Sequence, residues 1–306
     1  MSKIVFWSPL HGQGQTSNLH ITALALSILH KKRILVMQTH FYMNNLEGPL
    51  VGKNVDVISE EDGIFQDIGL DAAIMYSRMN MLDANVLESC CITFPEISMR
   101  LLPGTETRNR ETFDRDICSG IFPMIHQAQS YNDIVMIDAN SGNDELSLRL
   151  MSSADMVIIN MTQRRHVLSK FFSEYGERIS QYKNVFFLFG HYDRNSGYNI
   201  INCRRKYRRY INKKNSGVIP YCTGFMDAQN ESDILGMIRK GLREDNLAGI
   251  HKIGSRIKEI VRFDRYTAYE NNYFFEQIRE STIKIINMLS RPEKRNREEG
   301  AEHETD

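Results

Sequence analysis

The sequence predicts an α/β protein: a doubly wound, mainly parallel sheet of about seven strands with helices on both faces. Three observations predict it. Short apolar runs alternate with longer helical patterns along almost the whole chain. Several runs are apolar throughout, as strands covered on both faces require. A glycine-bearing turn joins the first run to the first helix, at a strand's carboxyl end, where sheets of this kind bind ligands.

In chain order the strands are expected at Ile4–Trp7, Ile34–Met37, Met99–Leu102, Ile134–Ile137, Met156–Asn160, Val185–Phe189 and Val218–Ile219. Helical spacing falls at about 18–30, 64–80, 110–129, 143–152, 163–180, 201–213, 231–242, 251–263 and 268–290. One domain over 1–290 is expected, with a helical extension from about 245. Residues 291–306 carry almost nothing apolar and read as a disordered polar tail.

The 306 residues are enough to bury a sizeable core. Lys plus Arg and Asp plus Glu both number 38, so no global field draws the chain to nucleic acid or membrane. No uninterrupted apolar run approaches the roughly 20 residues that span a bilayer. Lys3 precedes a short strand ending before Pro9, which does not read as a leader. Of five cysteines, Cys90 and Cys91 are adjacent and no C-x-x-C pair occurs, so buried thiols are expected and a zinc site is not. The expected location is cytoplasmic, peripheral to a membrane at most.

The chemistry concentrates in Ser8-Pro9-Leu10-His11-Gly12-Gln13-Gly14-Gln15-Thr16-Ser17, between the first strand and the first helix. Strand, glycine turn and helix N-terminus are the context of a phosphate-binding loop. Such a loop needs glycines so that backbone N–H groups can wrap phosphates, a hydroxyl for Mg²⁺ and a lysine for the β- and γ-phosphates. Gly12, Gln13, Gly14, Gln15, Thr16 and Ser17 are the candidate cradle. Thr16 and Asp138, at the end of the apolar run Ile134–Ile137, are the candidate Mg²⁺ residues. Gln15 occupies the lysine position and can offer only a neutral hydrogen bond, beside the helix dipole. His11 and His40 have no diagnostic metal or acid–base spacing.

This order of parts resembles the ParA/MinD class of deviant-Walker P-loop ATPases over roughly residues 1–245. That family's loop reads Lys-Gly-Gly-x-Gly-Lys-Thr-Thr, aligned here with Leu10-His11-Gly12-Gln13-Gly14-Gln15-Thr16-Ser17. Its second strand ends in two aspartates, replaced here by Gln38 and His40. Val218-Ile219-Pro220-Tyr221 matches its late strand, and Gly190-His191 stands where the family often has an adenine-reading Asn. The resemblance implies a P-loop NTPase-like fold of the SIMIBI class, ATP or ADP with Mg²⁺ as ligands, and a homodimer. Leu10 stands where a lysine would reach the partner's nucleotide, with His11 beside it on the same dimer or partner face.

Without those charges, hydrolysis should suffer more than binding, because phosphoryl transfer rests on positioning and charge neutralisation. The expectation is a degenerate nucleotide-binding protein or pseudo-ATPase, with weak ATPase activity or none, that localises or assembles a larger machine. Atypical relatives of the TadZ/CpaE type, associated with Flp pilus assembly, fit that picture, so pilus or secretion proteins are the expected partners. The alternative is an active ParA-like ATPase for DNA partition or cargo positioning. Arg204, Arg205, Lys206, Arg208 and Arg209, in the basic 204–214 segment, would then grip nonspecific nucleic acid or a partner. A metabolic P-loop enzyme also needs the missing lysine. Read structurally, the same segment is a solvated helix with Ile200, Ile201, Tyr207 and Ile211 facing the core. Tyr273, Phe274, Ile278, Ile285, Ile286 and Leu289 have helical spacing and should pack on the main domain or on a second copy.

Overall fold

A computed structural model describes residues 1–41, 46–51, 68–243 and 261–290, with side chains described from 271 onward in the last stretch. The expected helix at 251–263 falls mostly outside these residues, and the expected tail at 291–306 entirely so.

All seven expected strands form, within a sheet of eight strands among the described residues. They are β1 (Ser2–Trp7), β2 (Ile34–Gln38), β3 (Ile92–Phe94), β4 (Met99–Leu102), β5 (Ile134–Asp138), β6 (Met156–Met161), β7 (Val185–Tyr192) and β8 (Ser216–Pro220). Their spatial order is β3-β4-β2-β5-β1-β6-β7-β8. Every pairing is parallel except β3 with β4. The additional strand, β3, is three residues long and pairs antiparallel at the sheet edge. A run that short carries too little periodicity to be read from sequence.

Strand alternation sorts the core onto two faces. Val5 and Trp7 of β1, with Leu35 and Met37 of β2, face the helices Leu70–Arg78, Cys118–Gln129, Glu145–Ser152 and Arg165–Glu174. Ile4, Phe6, Ile34 and Val36 face the other way, towards α1 (Gln15–His30) and the helices Thr223–Asn230 and Ile234–Arg243. Leu19, Ile21, Ala23, Leu24, Ala25 and Leu26 are all buried, because α1 lies between the sheet and the Ile234–Arg243 and Val261–Leu289 helices.

The long helix Val261–Leu289 packs on the main domain through Phe274, Ile278 and Ile285. It also covers the free edge of β8: Ser281 Oγ accepts from Val218 N and donates to Val218 O, both at 3.2 Å. Pairing an edge strand's backbone with a side chain removes a template for aggregation. No described helix is long and apolar enough to cross a membrane.

Several helix bounds differ from expectation. The helix expected at 201–213 is Ile200–Lys206 only. Tyr207 and Tyr210 turn inward to stack on Phe172, at 4.3 and 5.1 Å between ring centroids, and the chain leaves the helix to place them there. Ile201, expected in the core, is exposed, whereas Ile211 is buried. The 163–180 segment divides at Tyr175 into Arg165–Glu174 and Gly176–Ile179. Cys90 and Cys91 are buried thiols, not disulfide-bonded, and burial first, then neighbouring Cys90, pushes the Cys91 thiol up to about 12.

Candidate nucleotide site

Parallel register sets the site. Phe6 and Gln38 both pair with Asp138, so β1, β2 and β5 end at one level. The turns after them open on the same edge, together with the end of β6. β1 lies between β5 and β6, where the connections diverge to opposite sides of the sheet, and such a switch point leaves a crevice.

Gly12 and Gly14 both have left-handed backbones, with φ of 75° and 73°. Only glycine adopts this without strain, and it is what curls the loop from β1 into α1. Gly14 caps α1, and among the described residues no side-chain cap bonds its first free N–H groups. The turn is held from both sides. Ser8 Oγ bonds Leu10 O at 3.0 Å and Ser141 Oγ at 2.8 Å. Gln13 Oε1 accepts from Thr162 N at 3.1 Å and from Thr162 Oγ1 at 2.8 Å. Gln13 therefore fastens the loop to the end of β6, and its side chain is committed to structure.

Asp138 is fully buried and gathers the polar groups. Gln15 Nε2 donates to Asp138 Oδ1 and to Ala139 O, both at 2.6 Å. Thr16 Oγ1 donates to Asp138 Oδ2 at 2.7 Å. His40 Nε2 stands 3.8 Å from that same oxygen, beyond hydrogen-bond reach. Burial by itself would raise the Asp138 carboxyl; His40, Gln15 and Thr16 outweigh it and hold the carboxyl below the usual carboxylate range.

The neutral hydrogen bond expected from Gln15 to a phosphate is thus spent elsewhere. Both amide hydrogens are used inside the protein, and Gln15 Oε1 is buried with no hydrogen-bond partner among the described residues. Gln38 Nε2 donates to Glu47 Oε1 at 2.6 Å, and the same oxygen accepts from Gly104 N at 2.9 Å. The second-strand position is therefore tied to a carboxylate that no sequence pattern pointed to.

Beside the loop lies a cavity lined by Ser17, Asn18, His191, Pro220, Tyr221 and Phe225, among others. Gln229 Nε2 donates to Ser17 Oγ at 3.0 Å across it. His191, at φ 47°, lies against the loop: a Cβ on Gly14 would stand 3.0 Å from its ring. Burial first, then Arg164, lowers the His191 imidazole below the ordinary range. Asn18 Nδ2 bonds Asn160 Oδ1 at 3.0 Å, behind the cavity. Gly190 admits this arrangement, since a Cβ there would come within 2.8 Å of Asn18 Nδ2 and 3.1 Å of Gln13 O. Gly190→Ala should therefore cost about 1–3 kcal/mol in urea unfolding, as overpacking does. An unchanged midpoint would show that Asn18 and Gln13 yield freely.

Leu10 and His11 are exposed on the loop's outer side, as a partner face would require. In the basic segment, Arg205, Lys206, Arg208 and Arg209 are exposed. Arg204 is half-buried and spent on Ser216, with Nε to Oγ at 2.9 Å and Nη2 to the carbonyl oxygen at 3.2 Å. The site residues missed from sequence are Glu47, Asn160, Thr162 and Gln229, which reach it through tertiary contacts, and Arg164. The one available signal was that Thr162-Gln163-Arg164 follows a strand adjoining the switch point.

Whether this site suits a nucleotide and Mg²⁺ can be judged from its donors. The backbone curl suits phosphate oxygens, and the Thr16 hydroxyl beside the Asp138 carboxylate suits a hard divalent cation. Those parts fit; the cation of the lysine does not, because Gln15 brings no charge. A bound Mg²⁺ would neutralise phosphate charge, and Thr16 and Asp138 are the residues to hold it.

A glycine turn feeding a helix N-terminus at the switch point of a doubly wound sheet defines the class, a P-loop NTPase-like fold. The particular form is ParA/MinD-like, as solved structures bear out. A ParA family ATPase from Chlorobium tepidum TLS matches with a TM-score of 0.60 and 17% identity, over 76% of this chain and 90% of that one. The septum site-determining protein MinD from Pyrococcus horikoshii OT3, complexed with Mg-ADP, matches with a TM-score of 0.55 and 17% identity, over 84% and 99%. A putative plasmid partition protein from Borrelia burgdorferi B31, bound to AMPPNP, matches with a TM-score of 0.57 and 11% identity, over 94% and 98%. At these identities the likeness is one of fold. No protein-family model matches the sequence, and no curated protein matches it.

Proposed function

We propose that the chain is a degenerate ParA/MinD-like nucleotide-binding protein that works as an adaptor. It dimerises through the face bearing Leu10 and His11 and localises or assembles a larger machine, a pilus or secretion apparatus being the candidate. ATP or ADP with Mg²⁺ is the candidate ligand, on Gly12–Ser17 with Asp138. The observation that carries this reading is the fate of Gln15. Its amide is bound to Asp138 and Ala139, leaving the loop's shape without the loop's lysine. The replacement of acids at Gln38 and His40 supports it, since those positions no longer carry carboxylates that could order an attacking water.

Each absent ammonium removes a charge-assisted hydrogen bond of about 1.5–3 kcal/mol, so affinity falls by orders of magnitude and turnover further. Purified protein should bind Mg·ATP weakly in calorimetry and hydrolyse it at background rate. Robust Mg²⁺-dependent turnover that disappears in Thr16→Ala and Asp138→Asn would overturn the reading.

A second reading has its own observation. Arg205, Lys206, Arg208 and Arg209 are exposed in a stretch, Arg194 to Met226, that contains no acidic residue. This favours a ParA-like role in which the segment holds nucleic acid during a nucleotide cycle. Duplex binding that weakens steeply with salt, and is lost when these four residues are neutralised, would support it.

A further inference from the structure

We propose that Arg164 supplies the positive charge that a polyphosphate on the Gly12–Thr16 loop requires, in place of the lysine that Gln15 replaces. The proposal rests on the nucleotide-binding reading above and adds to it the missing cation.

Arg164 is held at the loop by the two residues that precede it. Two residues before it, Thr162 donates twice to Gln13 of the loop. One residue before it, Gln163 Nε2 donates to Asp193 O at 2.9 Å and to Tyr198 O at 3.1 Å, while Gln163 Oε1 accepts from Asp193 N at 2.8 Å. Arg164 itself is extended, at φ −86° and ψ 120°, just before the Arg165–Glu174 helix. Its backbone position is therefore fixed, and its side chain is exposed. Among the described residues no ion pair or side-chain hydrogen bond engages its guanidinium.

Burial first, and then the Arg164 charge, disfavours the protonated His191 imidazole, and the His191 ring lies against Gly14. That imidazole is neutral at pH 7, so the charge beside the loop is carried by arginine. Arg194, which follows Asp193, lies over the Tyr273 ring at 5.2 Å. A guanidinium stays charged at every working pH and presents paired donors that match two phosphate oxygens. Among the described residues the one charged side chain bonded to the loop's start of helix, Asp138, is negative, so an anion there gains from a cation outside the protein's own hydrogen-bond network.

The test is calorimetric titration of the full chain with Mg·ATP and, separately, with Mg-tripolyphosphate. Variants are Arg164→Gln, Arg164→Lys and Arg165→Gln, each checked for an unchanged melting temperature. Arg164→Gln should weaken both ligands about tenfold or more, the loss expected for a charge-assisted contact. Arg164→Lys should recover part of it, and Arg165→Gln should stay within about twofold. Binding by the wild type that Arg164→Gln leaves unchanged would overturn the role of Arg164 while keeping the nucleotide reading. An equal loss in Arg165→Gln would overturn it too, pointing to a diffuse field. Absence of binding by folded wild-type protein to either probe would overturn both.

Discussion

Replacing Leu10 and Gln15 together by lysine should tighten Mg·ATP binding by about two orders of magnitude, measured by calorimetric titration. Each new ammonium offers a charge-assisted hydrogen bond of about 1.5–3 kcal/mol, or roughly 10- to 150-fold in affinity. The full product is not expected. Gln15 now reaches Asp138 Oδ1 at 2.6 Å, and a lysine in its place would form an ion pair there whenever phosphate is absent. That pair offsets part of the gain at position 15. Leu10 is exposed, so Leu10→Lys costs little in folding and should show its effect wherever two copies share a nucleotide. If neither lysine raises affinity, Gly12 and Gly14 do not cradle phosphate and the proposed function loses its ground.

Folding stability should fall by about 3 kcal/mol between pH 6.5 and pH 4, through His20 alone. His20 lies on α1 and is fully buried, with Nε2 bonded to Leu46 O at 2.8 Å and Nδ1 without a partner among the described residues. Burial is the dominant cause that brings it from 6.5 to about 4; the Leu46 carbonyl and the Asp138 charge oppose it without prevailing. The unfolded chain thus takes up a proton at this residue near pH 6.5 and the folded chain only near pH 4. Stability is complete above pH 6.5, declines through the window and levels out below it. His30 and His191 are also lowered by burial and act in the same direction, so the comparison with His20→Gln isolates the share of His20. Asp138 works in a separate range. Its carboxyl is held below 3.8, so its contribution is present above about pH 4 and is lost as pH falls further. Urea unfolding at pH 7, 5.5 and 4 decides the matter: equal slopes in wild type and His20→Gln would refute the assignment.

The strands were legible because runs such as Ile34–Met37 and Ile134–Ile137 are apolar throughout, and burial on two faces demands that. β3 was not, because Ile92-Thr93-Phe94 takes its identity from pairing with Met99–Leu101. The helix ending at Lys206 was overrun for a related reason. Local spacing favours continuing to 213, and the gain from stacking Tyr207 and Tyr210 on Phe172 overrides it. Propensity is a weak prior against aromatic burial of that size.

By itself the sequence determined the fold class, the place of the loop, and the absence of lysine from it, since each follows from residue types in a fixed local order. Tertiary structure alone decided what the replacements do: that Gln15 spends its amide on Asp138, that His40 stands 3.8 Å from the same carboxylate, and that Gln38 is held by Glu47. A hydrogen bond selects partners within about 3 Å. The sheet brings Gln15 within that distance of Asp138, 123 positions further along the chain, and no local spacing records it.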